Sequence, residues 1–257
     1  MQDLKVFLVQ IDQVWENKKA NYSLYESCFQ QIESSDLVIL PEMFHTGFSM
    51  NVGELAEDWE DSDGLTFLKN WANKLGSTIY TSLIIKEESN YYNRGVFVYP
   101  NGDVVKYDKR KSFGLGGEDK FYTAGNDEVI VELKGWKINL QICYDLRFPE
   151  LVRNRILQES PAYDIILYVA NWPKKRISHW LALLQARAIE NQCFVVGVNR
   201  QGIDGNNLEY SGDSIVFDAL GERKKSAQDS GNQVISVLLN REDLNAIRSN
   251  LPFLKDR

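Results

Sequence analysis

The stretch IILYVANWPKKRISHWLALLQARAIENQCFVVGV, residues 165–198, decides the fold class. It opens with the apolar run Ile165–Val169 and closes with the run Phe194–Val198, and both have the length and the β-branched content of buried strands. Between the two runs, apolar residues recur at spacings of three and four, which predicts one apolar helix face. The residues of that face are Ile177, Trp180, Leu181, Leu184 and Ala188. A strand, a covering helix and a second strand predict a layered α/β fold.

The same pattern continues on both sides of this stretch. Further strand-like apolar runs are Val6–Val9, Leu37–Leu40, Thr78–Ile85, Val96–Tyr99, Val104–Tyr107 and Ile138–Ile142. Helical spacing appears over Tyr22–Ile32 and Leu65–Leu75. The Asn-Gly step within Pro100–Asp103 favours the positive φ angles of a tight hairpin, and a second hairpin is expected around Ala219–Glu222. No linker-like tract divides the chain, so we expect one domain over residues 1–257.

Composition narrows the class of protein. The chain has 257 residues and a net charge of −7, and this acidic balance argues against a nucleic-acid partner, which would require a basic face. No apolar stretch approaches the roughly 20 residues that cross a bilayer, so no membrane partner is expected. The N-terminus lacks the pattern of a secretory signal, and three cysteines do not suggest a disulfide framework. We therefore expect a cytoplasmic protein of enzyme size.

Three reactive side chains follow the ends of predicted strands, where α/β folds tend to bind ligands. Glu42 comes after a strand and Pro41. It is either a loop carboxylate in solvent or, because its neighbours are apolar, a proton acceptor with a raised pKa. Lys109 follows the predicted hairpin. It either belongs to a solvated basic loop with its neighbours or turns inward to face a developing oxyanion. Cys143 ends a strand and precedes a polar segment. Single cysteines are usually buried filler, but a thiol at such a corner can act as a nucleophile.

Other catalytic patterns are missing from the sequence. Only two histidines occur, and neither His45 nor His179 has a partner at metal-ligand spacing. The chain contains no GxGxxG after a strand, no GxxxxGK[ST] and no GxSxG. If Cys143 is a nucleophile, a carboxylate is therefore a better candidate for its base than a histidine.

The segments around these three residues resemble the carbon–nitrogen hydrolase (nitrilase) superfamily. Leu40–Phe44, Tyr107–Phe113 and Gln141–Glu150 occur in the order typical of that superfamily. Further matching segments are Gly125, Ala170–Pro173, Gln185–Gln192, Val198–Arg200 and Tyr210–Ser214. The resemblance covers nearly the whole chain and is strongest to the bacterial ω-amidase branch, which is related to 2-oxoglutaramate amidase.

This resemblance implies a four-layer αββα sandwich with two halves of related topology. It also implies that Glu42 is the general base, Cys143 the nucleophile and Lys109 the group that stabilises the tetrahedral intermediate. Glu118 best matches a second glutamate that positions the lysine and the substrate. The backbone N–H of Tyr144 is expected to hold the oxyanion together with Lys109. No metal or organic cofactor is required, and the resemblance implies a homodimer.

The expected reaction converts the terminal amide of a short ω-amido keto acid, such as 2-oxoglutaramate, into a carboxylic acid and ammonia through a thioester. The far carboxylate of such a substrate needs a cationic anchor, for which Lys111, Arg147 and Arg176 are equal candidates. A salt bridge to a neighbouring carboxylate is the alternative interpretation of Arg147. Phe44 and Trp172 are candidates for the pocket walls.

Three other functions stay open at this stage. The first keeps the superfamily and changes the substrate, giving an N-carbamoyl amino acid hydrolase or another aliphatic amidase. A nitrile hydrolase is disfavoured because residues 144–149 read Tyr-Asp-Leu-Arg-Phe-Pro and not the Trp-Glu common in nitrilases. The last is a catalytically silent binding module, against which the joint presence of Glu42, Lys109 and Cys143 argues.

Overall fold

The computed structural model describes residues 2–226 and 234–257. The strands are β1 (Leu4–Val9), β2 (Leu37–Ile39), β3 (Glu57–Asp58), β4 (Thr78–Glu87), β5 (Asn90–Val98), β6 (Val104–Asp108), β7 (Ile130–Leu133), β8 (Trp136–Ile142), β9 (Ile156–Leu157), β10 (Ser160–Pro161), β11 (Ile165–Ala170), β12 (Phe194–Asn199), β13 (Gln201–Ile203), β14 (Glu209–Ser211), β15 (Ile215–Phe217), β16 (Arg223–Ser226) and β17 (Val234–Leu239). The α-helices are α1 (Lys18–Phe29), α2 (Val52–Leu55), α3 (Asp63–Leu75), α4 (Ile177–Asn191) and α5 (Arg241–Asn250). Among the described residues, none of these helices is both long and apolar enough to cross a bilayer.

Two large sheets with matching topology form the centre of the fold. The first has the order β17-β1-β2-β4-β5-β6, with β3 also paired to β4, and the second has the order β7-β8-β11-β12-β15-β16. In each sheet an antiparallel edge strand precedes three parallel strands, and two antiparallel strands follow them. The two halves of the chain therefore have the related topology that the family resemblance implies.

The alternation of side chains along β1 shows how the layers stack. Val6 and Leu8 belong to the apolar cluster that includes residues of the second sheet, whereas Phe7 and Val9 belong to the cluster that includes residues of α1 and α3. Successive strand residues point to opposite faces, so the first sheet is covered on both sides. The cluster shared by the two sheets also includes Trp180 and Leu184 of α4. The order helices, sheet, sheet, helix is the four-layer αββα sandwich expected from the sequence.

The predicted helices and strands are all present. Most of their ends shift by a few residues, but β5 begins at Asn90, well before the predicted run Val96–Tyr99. The first hairpin differs in detail from the prediction. Only Gly102 in its turn has a positive φ, +91°, whereas Asn101 accepts a hydrogen bond from the backbone N–H of Asp103 at 3.1 Å. The asparagine side chain thus closes the turn itself, and the backbone needs only one left-handed residue.

Candidate active site

Four strands of the two large sheets are followed by candidate site residues. Cys143 follows β8 directly and Asn171 follows β11, which is the parallel neighbour of β8 in the second sheet. Lys109 follows β6, and Glu42 lies three residues beyond β2, both in the first sheet. Because β2, β8 and β11 each run parallel to a neighbouring strand, their carboxyl ends open on to the edge of the sheet where α/β proteins place their ligands.

The backbone holds Cys143 in a left-handed conformation with φ +44°. This conformation is uncommon for a residue with a side chain and persists only where its surroundings hold it. Here Asp145 does so: its carboxylate accepts hydrogen bonds from the backbone N–H of Ile142 at 3.0 Å, from the N–H of Lys111 at 2.9 Å and from the hydroxyl of Tyr107 at 2.8 Å. The thiol is thereby fixed at the corner where the strand turns into the 3₁₀ helix over residues 143–147.

A buried lysine joins two buried glutamates behind the thiol. The Nζ of Lys109 lies 3.0 Å from Oε1 of Glu42 and 3.0 and 2.9 Å from the two carboxylate oxygens of Glu118. Asn93 donates from Nδ2 to both carboxylates, at 2.8 Å to Glu42 and 3.1 Å to Glu118. All four side chains are at least 97% buried. A lysine charge removed from water in this way requires close carboxylate partners, and these two supply them.

Charges around the thiol govern its protonation. Burial opposes the charge of Lys109, but the attraction of Glu118 and Glu42 outweighs it and raises the pKa of the ammonium well above its usual value. Burial raises the pKa of the Cys143 thiol well above its usual value, and the negative charge of Glu42 raises it further. The resting thiol is therefore protonated at neutral pH, and attack on a substrate requires a base beside it.

Backbone contacts fix Glu42 at that position. Its Oε2 accepts the peptide N–H of Asn171 at 2.9 Å, and its own carbonyl accepts Nδ2 of the same asparagine at 2.7 Å. The next residue, Met43, has φ +47°, and its N–H donates to the hydroxyl of Ser82 at 2.9 Å. The loop after β2 is therefore tied to both sheets, which holds the carboxylate in place relative to the thiol.

A cavity of about 490 Å³ opens in front of Cys143. The lining includes the predicted residues Tyr144, Arg147, Trp172 and Arg176, and also Asn171. Tyr144 lies in the first turn of its 3₁₀ helix, where backbone N–H groups have no partner within the helix. Glu42 and Lys109 do not line the cavity but lie behind the sulfur, so the site has a reactive floor and a larger space for the rest of a substrate.

Arg147 faces this cavity, and the alternative interpretation of a salt bridge is wrong. Its guanidinium stacks over the ring of Trp172, 4.8 Å from the centroid, and Nη2 lies 3.3 Å from Nδ1 of His179. Arg176 stacks over Phe113 at 5.4 Å. Within residues 2–226 and 234–257, neither arginine forms an ion pair with a carboxylate. Both charges are therefore available to an anionic ligand.

Two sequence-predicted binding residues lie outside the cavity lining. Phe44 is fully buried, and its ring packs on His45 at 4.7 Å and edge-on to Tyr25 at 5.3 Å in the core beside α1. The Nζ of Lys111 lies over the ring of Phe148, 4.9 Å from the centroid. The structure therefore does not place Phe44 and Lys111 on the lining of the cavity that contains Cys143, and their contact with substrate stays a prediction.

Sequence reasoning missed two asparagines that contact Glu42. Asn171 stands directly after a predicted strand, which is the same positional signal that marked Cys143. Asn93 lies within β5, in a run with no strand signal, and the sequence alone offers no sign that its side chain faces two carboxylates. Among the described residues no cluster of three or more His, Cys, Asp or Glu side chains is arranged to hold a metal ion.

An αββα sandwich that holds a thiol against a carboxylate and an ammonium has the architecture of an acyl-transferring hydrolase. The chain belongs to the carbon–nitrogen hydrolase family, whose model matches residues 5–249. This finding confirms the resemblance drawn from the sequence.

Individual relatives agree over almost the full length. The chain is 41% identical to an omega-amidase, YafV, of Escherichia coli K12, over 100% of this chain and 97% of that protein. It is 31% identical to a 2-oxoglutaramate amidase of Bacillus subtilis, over 93% of this chain and 90% of that protein. A crystal structure of the CN-hydrolase superfamily protein XC1258 from Xanthomonas campestris superposes with a TM-score of 0.96 at 40% identity, covering 100% and 98% of the two chains.

Proposed function

We propose that the protein hydrolyses the terminal amide of short ω-amido acids, converting 2-oxoglutaramate into 2-oxoglutarate and ammonia. The observation that carries this proposal is that Arg147 and Arg176 line the same cavity as Cys143 and have no carboxylate partner within the part of the chain that the structure describes. A neutral aliphatic amide has no charged group that could pair with the two arginines, whereas an ω-amido acid presents a carboxylate at the end remote from the reacting amide. The omega-amidase and 2-oxoglutaramate amidase relatives support the same substrate class.

Acylation begins with transfer of the thiol proton from Cys143 to Glu42. The sulfur attacks the amide carbon, and the oxyanion that forms is held by the Lys109 ammonium and the N–H of Tyr144. Each preorganised donor of this kind is typically worth about 3–4 kcal/mol. The carbon–nitrogen bond then breaks while Glu42 returns the proton to the leaving nitrogen. Ammonia departs, and the acyl group stays on the sulfur as a thioester.

Deacylation uses the same groups in reverse order. Glu42 removes a proton from water, the hydroxide oxygen attacks the thioester carbon, and the carbon–sulfur bond breaks. The proton on Glu42 returns to the sulfur, which restores the thiol that burial favours at neutral pH. In both steps Glu118 acts through Lys109, whose ammonium it holds by two contacts at 3.0 and 2.9 Å.

Arg147 and Arg176 are proposed to anchor the far carboxylate. Each rests on an aromatic ring, at 4.8 Å from Trp172 and 5.4 Å from Phe113, and this stacking restricts the guanidinium groups before substrate arrives. Side chains that are already restricted lose less conformational entropy when a ligand binds. The two arginines can therefore bind a carboxylate at a small cost in conformational entropy.

The test is an ammonia-release assay on 2-oxoglutaramate, succinamate and the neutral analogue butyramide, with Cys143→Ala as the inactive control. We expect Arg147→Met and Arg176→Met to raise KM for succinamate by roughly tenfold, since a charged hydrogen bond is worth about 1.5–3 kcal/mol, and to leave turnover of butyramide nearly unchanged. Lys174→Met is the matched control, because Lys174 is exposed and pairs with Glu209 at 2.6 Å. Equal loss on succinamate and butyramide would contradict carboxylate anchoring.

The same assay distinguishes ω-amido acids from N-carbamoyl amino acids, which are the alternative substrate class. An N-carbamoyl amino acid also carries a carboxylate, but its hydrolysis releases carbon dioxide together with ammonia. Carbon dioxide from N-carbamoyl-β-alanine at a rate above that of ammonia release from succinamate would favour the carbamoyl hydrolase.

We further propose a cytoplasmic homodimer. Two large apolar side chains are exposed on neighbouring segments: Ile189 on α4, 49% exposed, and Leu220, 44% exposed. Gly221, which follows Leu220 in its turn, lies close to the side chain of Ile189. Such neighbouring exposed apolar groups are typical of an interface. Light scattering tests the mass, and Ile189→Glu is expected to shift it from two chains to one.

A further inference from the structure

Asn171 has an unused hydrogen-bond acceptor beside the catalytic base. Its peptide N–H donates to Oε2 of Glu42 at 2.9 Å, and its Nδ2 donates to the carbonyl of Glu42 at 2.7 Å. Because a carbonyl accepts only from the amide nitrogen, this contact fixes which end of the side chain is nitrogen and which is oxygen. The remaining atom, Oδ1, is buried and has no hydrogen-bond partner among the described residues.

The position of this acceptor sets it apart from the other buried polar atoms without partners. Those atoms belong to residues such as Gln13, Asn93 and Arg200, none of which lines the catalytic cavity. Asn171 does line it, next to Cys143, and is only 5% exposed. A buried acceptor without a partner destabilises the folded protein by roughly 1–3 kcal/mol. A ligand that donates a hydrogen bond to Oδ1 of Asn171 recovers part of that free energy on binding.

We propose that Oδ1 of Asn171 accepts an N–H of the substrate's carboxamide and thereby selects an amide nitrogen as the leaving group. The inference deepens the proposed function, since it assumes that a primary amide reacts at Cys143. A carboxamide has two N–H donors, whereas the oxygen of an ester leaving group has none. The acceptor therefore contributes to binding and cleavage of the amide and contributes nothing to an ester with the same acyl group.

The proposed hydrogen bond from the substrate N–H to Oδ1 of Asn171 is also compatible with the bonds that form and break during acylation. As the carbon–sulfur bond forms, the nitrogen becomes pyramidal and receives the proton that Glu42 took from the thiol. An acceptor on one N–H turns the nitrogen lone pair toward Glu42, which Asn171 itself holds through its backbone and side chain. The carbon–nitrogen bond then breaks and ammonia leaves, while the acyl group remains on the sulfur.

The experiment compares kcat/KM for succinamate with kcat/KM for monomethyl succinate, which give the same succinyl thioester. Asn171→Leu, close in size and without polar atoms, is expected to lower the amide-to-ester ratio by about 3- to 10-fold, the range for one hydrogen bond. Asn171→Asp keeps an acceptor oxygen, so we expect both rates to fall and the ratio to stay within about twofold of wild type. Asn93→Leu is the matched control: it removes a 2.8 Å contact to the same carboxylate from outside the cavity.

The outcomes distinguish the inference from a general disturbance of Glu42. An unchanged ratio in Asn171→Leu overturns it, and so does an equal fall of the ratio in Asn93→Leu, because the ratio would then report only the state of the base. If Asn171→Leu does not fold, a preserved ratio in Asn171→Asp supports the inference and a lost one overturns it. Wild-type protein that releases no ammonia from any ω-amido acid would refute the proposed function itself, which is a separate result.

Discussion

Replacing Lys109 by methionine tests the electrostatic design of the site. Methionine keeps much of the length of the side chain and removes the charge. The nearest oxygens to the Lys109 ammonium are Oε1 of Glu42 at 3.0 Å and Oε2 of Glu118 at 2.9 Å, so these two oxygens lie within about 6 Å of each other. At that separation and an effective dielectric constant of about 20, two unit charges repel by about 3 kcal/mol. Loss of one partner from a buried ion pair typically costs about 3–5 kcal/mol, which agrees with this value.

The loss of the cation gives the expected cost in stability. In Lys109→Met the folded protein holds two buried carboxylates with no ammonium between them. We expect the variant to be less stable than wild type by about 3–5 kcal/mol at pH 8. Urea unfolding measures this difference in the free energy of unfolding.

Activity and a second variant complete the test. Ammonia release from succinamate should fall by at least about 10²–10³-fold, the loss typical for one oxyanion donor. Lys109→Met combined with Glu118→Gln should recover part of the stability at pH 8 and none of the activity. Lys106→Met is the surface control, since Lys106 pairs with Glu87 while 46% exposed. A single variant as stable as wild type at pH 8 would refute the charge-balance reasoning.

Two further predictions concern titratable groups. Because burial and Glu42 raise the pKa of the Cys143 thiol, its alkylation by iodoacetamide should rise about tenfold per pH unit from pH 7 to 9, and a plateau near pH 7 would contradict this. Burial opposes the charge of Glu57, but hydrogen bonds from His45, Lys18 and Ser62 hold the pKa of that carboxyl well below its usual value. Its contribution is present above about pH 4 and lost as pH falls, so Glu57→Gln should cost about 2–3 kcal/mol in urea unfolding at pH 7 and much less at pH 3.

The layered fold and the strand ends that carry candidate residues could be predicted because their signals are local. The choice of Lys109 among its basic neighbours came from the family resemblance. Glu42, Lys109 and Cys143 each follow an apolar run that ends abruptly, and the carboxyl ends of parallel strands meet at one edge of a sheet. Side-chain direction beyond a strand end could not be predicted in the same way. The turns there contain residues such as Met43 with positive φ. The rule that successive side chains of a strand point to opposite faces therefore no longer predicts which side chain faces the ligand. Phe44, two residues beyond Glu42, lies outside the cavity lining for that reason.

The two glutamates beside Lys109 differ in the number of hydrogen bonds that their oxygens accept. Both oxygens of Glu118 are engaged: one accepts from Lys109 and Asn93, and the other accepts from Lys109 and from the N–H of Phe113 at 2.6 Å. In Glu42 only Oε1 is shared in this way, by Lys109 and Asn93, whereas Oε2 accepts the single N–H of Asn171. A carboxylate oxygen accepts about two hydrogen bonds, so Oε2 of Glu42 has capacity left for a proton and both oxygens of Glu118 have none. This spare capacity supports the proposal that Glu42 transfers protons and that Glu118 positions the lysine.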